Sequence, residues 1–100
     1  MKKLSVIQKH NNLNTIYRNG EKDPGGGYHS YTVMDAGGTK VVAQIEFQKG
    51  ARNDPNARRG VLDADLLEIV RDRLTAFNKG EFATRENACA ITHIEEALMW

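Results

Sequence analysis

The sequence has few residues that could hold a small fold together through covalent or metal links. Cys89 is its one cysteine, and the three histidines, His10, His29 and His93, lie far apart along the chain. One cysteine cannot form a disulfide within the chain, and no group of cysteines and histidines has the spacing of metal ligands. The composition therefore excludes a disulfide framework and a structural zinc site, and it indicates no cofactor.

Long hydrophobic runs and an excess of one charge are also absent. The first apolar run, residues 4–7, is interrupted by Ser5, and no stretch approaches the roughly 18 apolar residues that a membrane span needs. Lysine and arginine number 14 against 13 aspartates and glutamates, whereas binding to duplex nucleic acid requires a basic surplus. We therefore expect a cytosolic protein without a signal peptide that binds neither membranes nor duplex nucleic acid.

The sequence also lacks a recognisable catalytic group. No serine or cysteine stands in a nucleophile-elbow context. Glu95 and Glu96 are adjacent on a predicted helix, so they do not face each other as an acid–base pair would. Cys89 lies one position from an apolar stripe, where a small buried side chain is the expected role. The sequence predicts no catalytic residue.

The first half of the chain favours extended structure. Residues 4–7 are a short strand candidate, and the polar stretch 9–27, with Pro24 and three consecutive glycines, predicts a long loop. Residues 28–34 are rich in aromatic and β-branched side chains. The turn-forming residues 35–38 follow them and precede a second apolar segment. This pattern predicts a β-hairpin.

The second strand of the predicted hairpin, residues 40–47, alternates between two sets of side chains. Because successive side chains of a strand point to opposite faces, one set should face the core and the other mostly solvent. The core set comprises Val41, Ala43, Ile45 and Phe47, and the solvent set comprises Val42, Gln44, Glu46 and Gln48.

The second half of the chain has helical spacing. A helix is predicted over 64–79, with Asp63 or Asp65 as its N-cap. Gly80 marks its end, and Thr84 is the predicted cap of a second helix. The short link between them favours an antiparallel hairpin. The apolar stripes are Leu66, Ile69, Val70, Leu74 and Phe77 on the first helix, and Ala88, Ile91, Ile94, Ala97 and Leu98 on the second.

These patterns predict an α+β fold, with an N-terminal antiparallel β-sheet followed by a C-terminal antiparallel two-helix hairpin. The sheet is assigned to residues 1–50, the loop to 51–62 and the hairpin to 63–100, within a single domain spanning 1–100. A chain of this length buries only about two-thirds of its unfolded surface, so oligomerisation would stabilise it. Trp100 ends the second helix without a C-cap, so either a further turn is missing or Trp100 packs against another subunit.

The start of the second helix is the segment with the most chemical information. A helix N-terminus favours anions, and Arg85 there could bind a phosphate. Asn87 offers a donor and an acceptor to a base or ribose edge, and Phe77, at the end of the first helix, could stack on a purine. The alternative is that Phe77 belongs to the core and that Arg85 is a surface charge.

The part of the chain from Ile45 to Trp100 also carries motifs of a known family. They are Ile-Glu-Phe-Gln-Lys-Gly at 45–50, Arg-Glu-Asn-Ala at 85–88 and Glu-Glu-Ala-Leu-Met-Trp at 95–100. With these motifs the chain resembles the small phage proteins that act as Thoeris anti-defence sponges, specifically the first-described family of them. That family shares a helical hairpin with some anti-CBASS sponges. The resemblance covers a little over half of the chain.

The resemblance implies a protein that binds a cyclic nucleotide immune signal in the host cytoplasm without cleaving it, and hence not an enzyme. The family holds glycocyclic ADP-ribose isomers and, in some members, cyclic oligonucleotides, enclosed where the subunits of a dimer or a trimer of dimers meet. By match to the family, Phe77 and Asn87 are pocket residues, and Gln48 and Arg52 are weaker candidates. In the family the second helix continues past the tryptophan into a basic stretch that binds phosphates, whereas this chain ends at Trp100.

A different class of function is a small protein-interaction module. In that interpretation Met99 and Trp100 dock onto a host protein through the end of the second helix. The pocket discriminates between the two interpretations, because a sponge protects a nucleotide whereas an interaction module retains a protein partner.

Overall fold

The computed structural model describes residues 1–8, 13–51 and 53–100, and the chain divides into two compact units. Met1–Val61 contains a four-stranded antiparallel sheet and is called the sheet unit. Leu62–Trp100 contains two helices and is called the helical hairpin. The predicted α+β class is confirmed, and the assignment of the whole chain to a single domain stays a prediction.

The sheet unit places its strands in chain order, each antiparallel to its neighbours. The strands are β1 Lys2–Lys3, β2 Asn14–Asn19, β3 Ser30–Asp35 and β4 Val41–Glu46. The predicted hairpin is thus confirmed as β3 and β4. Its turn is shaped by Asp35, whose carboxylate accepts hydrogen bonds from the N–H of Thr39 at 2.8 Å and of Lys40 at 3.2 Å. These backbone donors lower the pKa of Asp35.

The prediction for the first 27 residues is wrong in two places. The strand expected over 4–7 lies instead at β1, and β2 occupies part of the segment 9–27 predicted to be a loop. Polar residues at both ends of β2 conceal this strand in the sequence, and it is held by pairing with β1 on one side and β3 on the other. Residues 9–12 of the predicted loop, His10 among them, lie outside the described residues.

A β-bulge changes the expected alternation in β4. Ala43 pairs with Val33 of β3, whereas Val41 pairs with the next residue, Met34. Val41 and Ala43 therefore lie on opposite faces of the sheet. The core prediction is wrong for Val41, which is 59% exposed. The other residues expected in the core are half-buried, namely Ala43, Ile45 and Phe47.

One face of the sheet carries connected side-chain hydrogen bonds, called the polar network. Asn19 donates to Thr32 at 2.8 Å, and Thr32 donates to Gln44 at 2.6 Å. Gln44 at 2.8 Å and Ser30 at 3.0 Å both donate to the Glu46 carboxylate, and these bonds lower the pKa of Glu46. Thr32 is the only buried residue in the described part of the chain. Because a buried hydroxyl destabilises a fold unless it is hydrogen-bonded, the network is part of what holds the sheet unit together.

The segment that follows β4 folds back, and its end at Val61 forms backbone hydrogen bonds with the end of β4. The N–H of Gln48 donates to the carbonyl of Val61 at 2.9 Å, and the N–H of Val61 donates to the carbonyl of Glu46 at 2.9 Å. A Cβ atom built on Gly60 would lie 2.4 Å from that Glu46 carbonyl oxygen. The absence of a side chain at Gly60 therefore permits this pairing.

The two helices lie where the sequence predicts them. α1 spans Asp63–Asn78 and α2 spans Arg85–Leu98. Arg71 of α1 forms an ion pair with Glu95 of α2, with Nε and Oε2 at 2.9 Å, which joins the two helices side by side. In the part of the chain that the structure describes, neither helix is long and apolar enough to span a membrane.

One of the two cap predictions is confirmed. The hydroxyl of Thr84 accepts a hydrogen bond from the N–H of Asn87 at 3.0 Å and so caps α2. For α1 neither predicted aspartate is the N-cap, since that position is occupied by Leu62. Asp65 acts from inside the helix, because its carboxylate accepts a hydrogen bond from the N–H of Leu62 at 2.8 Å.

The apolar stripe predicted for α1 is only partly covered. Leu66 and Leu74 are half-buried. The remaining members are exposed, namely Ile69 at 63%, Val70 at 45% and Phe77 at 42%. Two paired helices cover each other on one side only, so apolar residues at the flank of the stripe stay in solvent. Cys89 is also exposed, so its expected buried position is wrong.

Candidate functional site

Side chains from both helices hold the turn between them, residues 79–84, here called the hairpin turn. Asn78, the last residue of α1, accepts a hydrogen bond from the N–H of Thr84 at 3.2 Å. Asn87, in the first turn of α2, donates its side-chain amide to the carbonyl oxygen of Phe82 at 3.3 Å. Together with the Thr84 cap, these bonds connect the backbone of the hairpin turn to both helix ends.

Two aromatic rings meet at the hairpin turn. The centroids of Phe77 and Phe82 lie 6.5 Å apart with their planes at 87°, an edge-to-face arrangement. Phe77 is 42% exposed and Phe82 is 64% exposed. The rings thus contact each other while leaving much of their surface free, and Phe77 is not the core residue that the alternative interpretation required.

An open depression lies beside the Phe77 ring. It has a volume of about 500 Å³ and is lined by Asp72, Arg73, Ala76 and Phe77, here called the Phe77 depression. The guanidinium of Arg73 lies over the Phe77 ring, 5.5 Å from its centroid. Among the described residues no carboxylate lies within ion-pair distance of Arg73. A cation over an aromatic face, beside open volume, can stack on a planar ligand.

Three of the predicted site residues lie at this end of the helical hairpin. Phe82 links Phe77 to Asn87, because its ring contacts the first and its carbonyl oxygen is bonded to the second. Arg85 is the first residue of α2 and is exposed. It therefore stands beside the N–H groups at the positive end of the helix dipole, where a phosphate is stabilised.

The other two predicted residues belong to the sheet unit. Gln48 accepts a hydrogen bond from the N–H of Gly60 at 3.3 Å, and its amide donates to the carbonyl of Gly50 at 3.4 Å. The Gln48 side chain thus joins Gly50 and Gly60, which lie near the two ends of the segment that follows β4. Arg52, in the same segment, lies outside the described residues. The binding roles of both residues stay predictions.

The ionisable pair His29 and Asp23 also lies in the sheet unit. Nε2 of His29 is 2.5 Å from Oδ2 of Asp23, and this contact is the main cause of the lowered pKa of Asp23. The N–H of Gly27 adds a hydrogen bond to the same carboxylate at 3.1 Å. The described residues include no group of three or more histidine, cysteine, aspartate or glutamate side chains placed to hold a metal ion.

Comparison with known proteins identifies the family. The family model for the Acb2/Tad1 hairpin domain matches residues 39–100, which include both helices and the hairpin turn. The chain belongs to the Acb2/Tad1 hairpin family. The protein "Thoeris anti-defense 1" of Bacillus phage SBSphiJ7 is 45% identical to it over 76 residues, which are 76% of this chain and 51% of that protein. The chain spans about half the length of this curated relative, and the family predicted from the sequence is confirmed.

The Acb2/Tad1 match contains the Phe77 depression and every predicted site residue. The sequence nevertheless does not predict the other three residues that line the depression, Asp72, Arg73 and Ala76. The signal for Arg73 is its spacing, because residues four positions apart on a helix lie on the same face and Phe77 is four positions later. No comparable signal exists for Ala76, whose small side chain matters only through the space that it leaves.

Proposed function

We propose that this chain is a phage anti-defence protein that binds cyclic nucleotide immune signals and sequesters them without cleaving them. Its ligands are glycocyclic ADP-ribose isomers, with cyclic oligonucleotides as a further class, and it acts in the cytoplasm of the host. The observation that carries the proposal is the exposed Phe77 ring beside an open depression, within a hairpin of the Acb2/Tad1 family. The relative named Thoeris anti-defense 1 supports the biological role.

The chemistry of the site fits a nucleotide. The free face of Phe77 can stack on a purine, and stacking accepts any planar base. Asn87 uses one amide hydrogen on the carbonyl of Phe82, which leaves its side-chain oxygen as an acceptor for a base or a ribose. Arg85 adds a guanidinium at the start of α2, where a phosphate also gains from the helix dipole.

Assembly is part of the proposal. The helical hairpin leaves Ile69, Val70 and Phe82 more than 40% exposed, which is a large apolar area for 39 residues to present to water. We expect homodimers, or hexamers built as trimers of dimers, to cover part of this surface. Binding a ligand in an assembled state couples affinity to oligomerisation, so ligand should raise the apparent stability of the oligomer.

A capture-and-release experiment tests this proposal. The protein is incubated with glycocyclic ADP-ribose isomers and with cyclic di- and trinucleotides, and free ligand is removed. The protein is then heat-denatured, and the released compounds are identified by mass spectrometry. Release of an intact signal is the expected result. Recovery of a cleaved ligand would overturn the non-enzymatic assignment.

A second candidate function predicts a different outcome of the same experiment. Met99, near the end of α2, is 80% exposed, and an exposed apolar side chain can dock onto a host protein. If every nucleotide stays free and unaltered while a host protein co-purifies, the protein-interaction module replaces the sponge.

A further inference from the structure

Two arginines of α1, two positions apart, have different surroundings. Arg71 forms ion pairs with Glu95 at 2.9 Å and with Glu68 at 3.5 Å. Arg73 has no carboxylate within ion-pair distance among the described residues, and its guanidinium lies over the exposed Phe77 ring. The first arginine thus joins the two helices, whereas the second lines open space.

We infer that Arg73 is a ligand-binding residue that forms, with Phe77, the two faces of a slot for the purine base of a nucleotide. The inference rests on the proposed function, because the nucleotide is the sequestered signal. The base enters between the ring and the guanidinium, in the Phe77 depression. Arg73 then closes over the face of the base that is turned away from Phe77.

The observed distance is shorter than the spacing that an inserted base needs, so the slot opens by a side-chain movement of Arg73. Two stacked contacts require about 7 Å between the outer planes, and the guanidinium now lies 5.5 Å from the ring centroid. Arg73 therefore has to move away from the ring to admit a base, which rotation about its side-chain bonds can provide. In the absence of a base the guanidinium covers the ring, so the aromatic face is partly shielded from water.

The lining of the depression favours a base over a phosphate as the occupant. Asp72 lines the same depression, so a phosphate placed there would face a carboxylate as well as the guanidinium. A purine base has no formal charge, and its amino group can donate a hydrogen bond to a carboxylate. Ala76, between Asp72 and Phe77 in the sequence, leaves room for the ring system because its side chain is a single methyl group.

The guanidinium contributes through its shape as well as its charge. A planar guanidinium stacks on a base, whereas the ammonium of lysine is a compact charge that does not. Substitution with lysine therefore separates stacking from simple charge attraction. If Arg73 holds a base, Arg73→Lys should weaken binding almost as much as Arg73→Met does.

Isothermal titration calorimetry with glycocyclic ADP-ribose tests the slot on the full chain. We expect about tenfold weaker binding for Arg73→Met and for Arg73→Lys than for the unchanged protein. The matched control is Arg18→Met, because the Arg18 guanidinium also stands over an aromatic ring, that of Tyr28 at 3.8 Å, but in the sheet unit. The control removes the same charge and should bind with unchanged affinity.

Ala76→Leu provides a test that leaves Arg73 and Phe77 in place. Leucine at this exposed helical position keeps the helix and takes up the space next to the Phe77 ring, so we expect about a tenfold loss of affinity. Thermal unfolding followed by circular dichroism verifies that each variant is folded. Should Arg73→Met fail to fold, Ala76→Leu decides the question alone.

The outcomes separate this inference from the proposed function. If the unchanged protein binds no glycocyclic ADP-ribose, the proposed ligand and the slot are both overturned. If it binds and Arg73→Met binds equally well, only the slot is overturned. If Arg73→Lys restores the affinity that Arg73→Met loses, Arg73 acts as a charge on a phosphate, and the stacking role is wrong.

Discussion

The sheet unit and the helical hairpin differ in how far their side chains bond to one another. In the sheet unit the polar network joins Asn19 to Glu46 through neighbouring side chains, and Thr32 within it is 4% exposed. In the helical hairpin the aromatic pair Phe77 and Phe82 is exposed, and the guanidinium of Arg73 lies over the Phe77 ring. The polar network thus bonds side chains of the sheet unit to each other, whereas the hairpin exposes two aromatic rings and a guanidinium.

This difference leads us to expect different roles for the two units. Groups that already bond to each other must give up those bonds before they can bind anything else, and such an exchange yields little net free energy. In the hairpin a ligand has to displace only the contact between the Arg73 guanidinium and the Phe77 ring, which is weaker than a network of hydrogen bonds. We therefore expect recognition to lie in the hairpin.

The largest expected change in stability comes from Gly60→Ala in the sheet unit. Its new Cβ would lie 2.4 Å from the carbonyl oxygen of Glu46, so the backbone of the returning segment must move. We expect the free energy of unfolding to fall by about 2–3 kcal/mol, measured by urea denaturation. The control is Gly37→Ala, whose Cβ would meet its nearest atom, in Thr39, only at 3.9 Å. Equal losses in both variants would show that close packing at Gly60 does not hold the unit together.

Removing the aromatic ring should break recognition and leave the fold intact. Phe77→Ala deletes the stacking surface, and we expect glycocyclic ADP-ribose to bind about tenfold to a hundredfold more weakly. The matched control, Val42→Ala, removes an apolar side chain of the sheet unit that is 57% exposed, and this variant should bind the ligand with unchanged affinity. Affinity is measured by calorimetry, and circular dichroism verifies both folds. Unchanged affinity in Phe77→Ala would remove this ring from the site.

Asn87→Ala tests the same site by removing a side chain that holds the hairpin turn in place. The variant loses the amide that bonds to the carbonyl of Phe82, and it loses the side-chain oxygen available to a ligand. We expect about a tenfold loss of affinity, because one hydrogen bond and the order of the hairpin turn are removed. Asn87→Asp keeps an acceptor but lacks the amide donor, so the two variants separate ligand contact from support of the turn. Wild-type affinity in Asn87→Ala would contradict both roles.

The two units also differ in how far the sequence predicts them. The helices follow from apolar spacing together with the Thr84 cap and Gly80, which are local signals. In the sheet unit β2 is polar at both ends, and its neighbours decide its strand structure. The displacement of Val41 to the opposite face depends on its pairing with Met34 across the bulge. Such pairings are not local, so hydrophobic alternation in one strand cannot reveal them.

The candidate site shows the same limit. The family resemblance and helix-end chemistry predict Phe77 and Asn87 as site residues, and the structure places them on opposite ends of the hairpin turn with Phe82 between them. Arg73 was missed although its spacing to Phe77 is local. The volume beside the ring depends on Ala76 having almost no side chain, which no motif records.

A smaller effect is expected from the cap of α2. Thr84→Ala removes the hydroxyl that accepts the N–H of Asn87 at 3.0 Å, and the loss of such a cap costs about 1 kcal/mol. Chemical denaturation measures this loss. Thr84→Ser keeps the hydroxyl and should retain most of the stability. Amide hydrogen exchange should become faster in the first turn of α2, while protection in β2 and β3 stays unchanged. Faster exchange in both units would contradict the view that the Thr84 cap stabilises the hairpin alone.

Acid should weaken the sheet unit before the hairpin. Among the described residues, the carboxyl groups with a lowered pKa all lie in the sheet unit, namely Asp23, Asp35 and Glu46. A lowered pKa means that the ionised form stabilises the fold. For Glu46 this contribution is complete well above its ordinary value of 4.5 and is lost as the pH falls through the lower value of the folded state. Hydrogen exchange at pH 7 and at pH 3 should therefore show a larger loss of protection in the strands than in the helices.

Glu46→Gln sharpens this test, because glutamine keeps an acceptor for Gln44 and Ser30 but cannot be protonated in this range. The variant should be less stable than the unchanged protein at neutral pH, since it loses the charge beside Arg58, and less sensitive to acid in the strands. If the strands of the variant lose protection over the same pH range and to the same extent as those of the unchanged protein, protonation of Glu46 does not cause the acid response. Asp23 or Asp35 would then account for the acid response, and the polar network would stabilise the sheet unit through geometry alone.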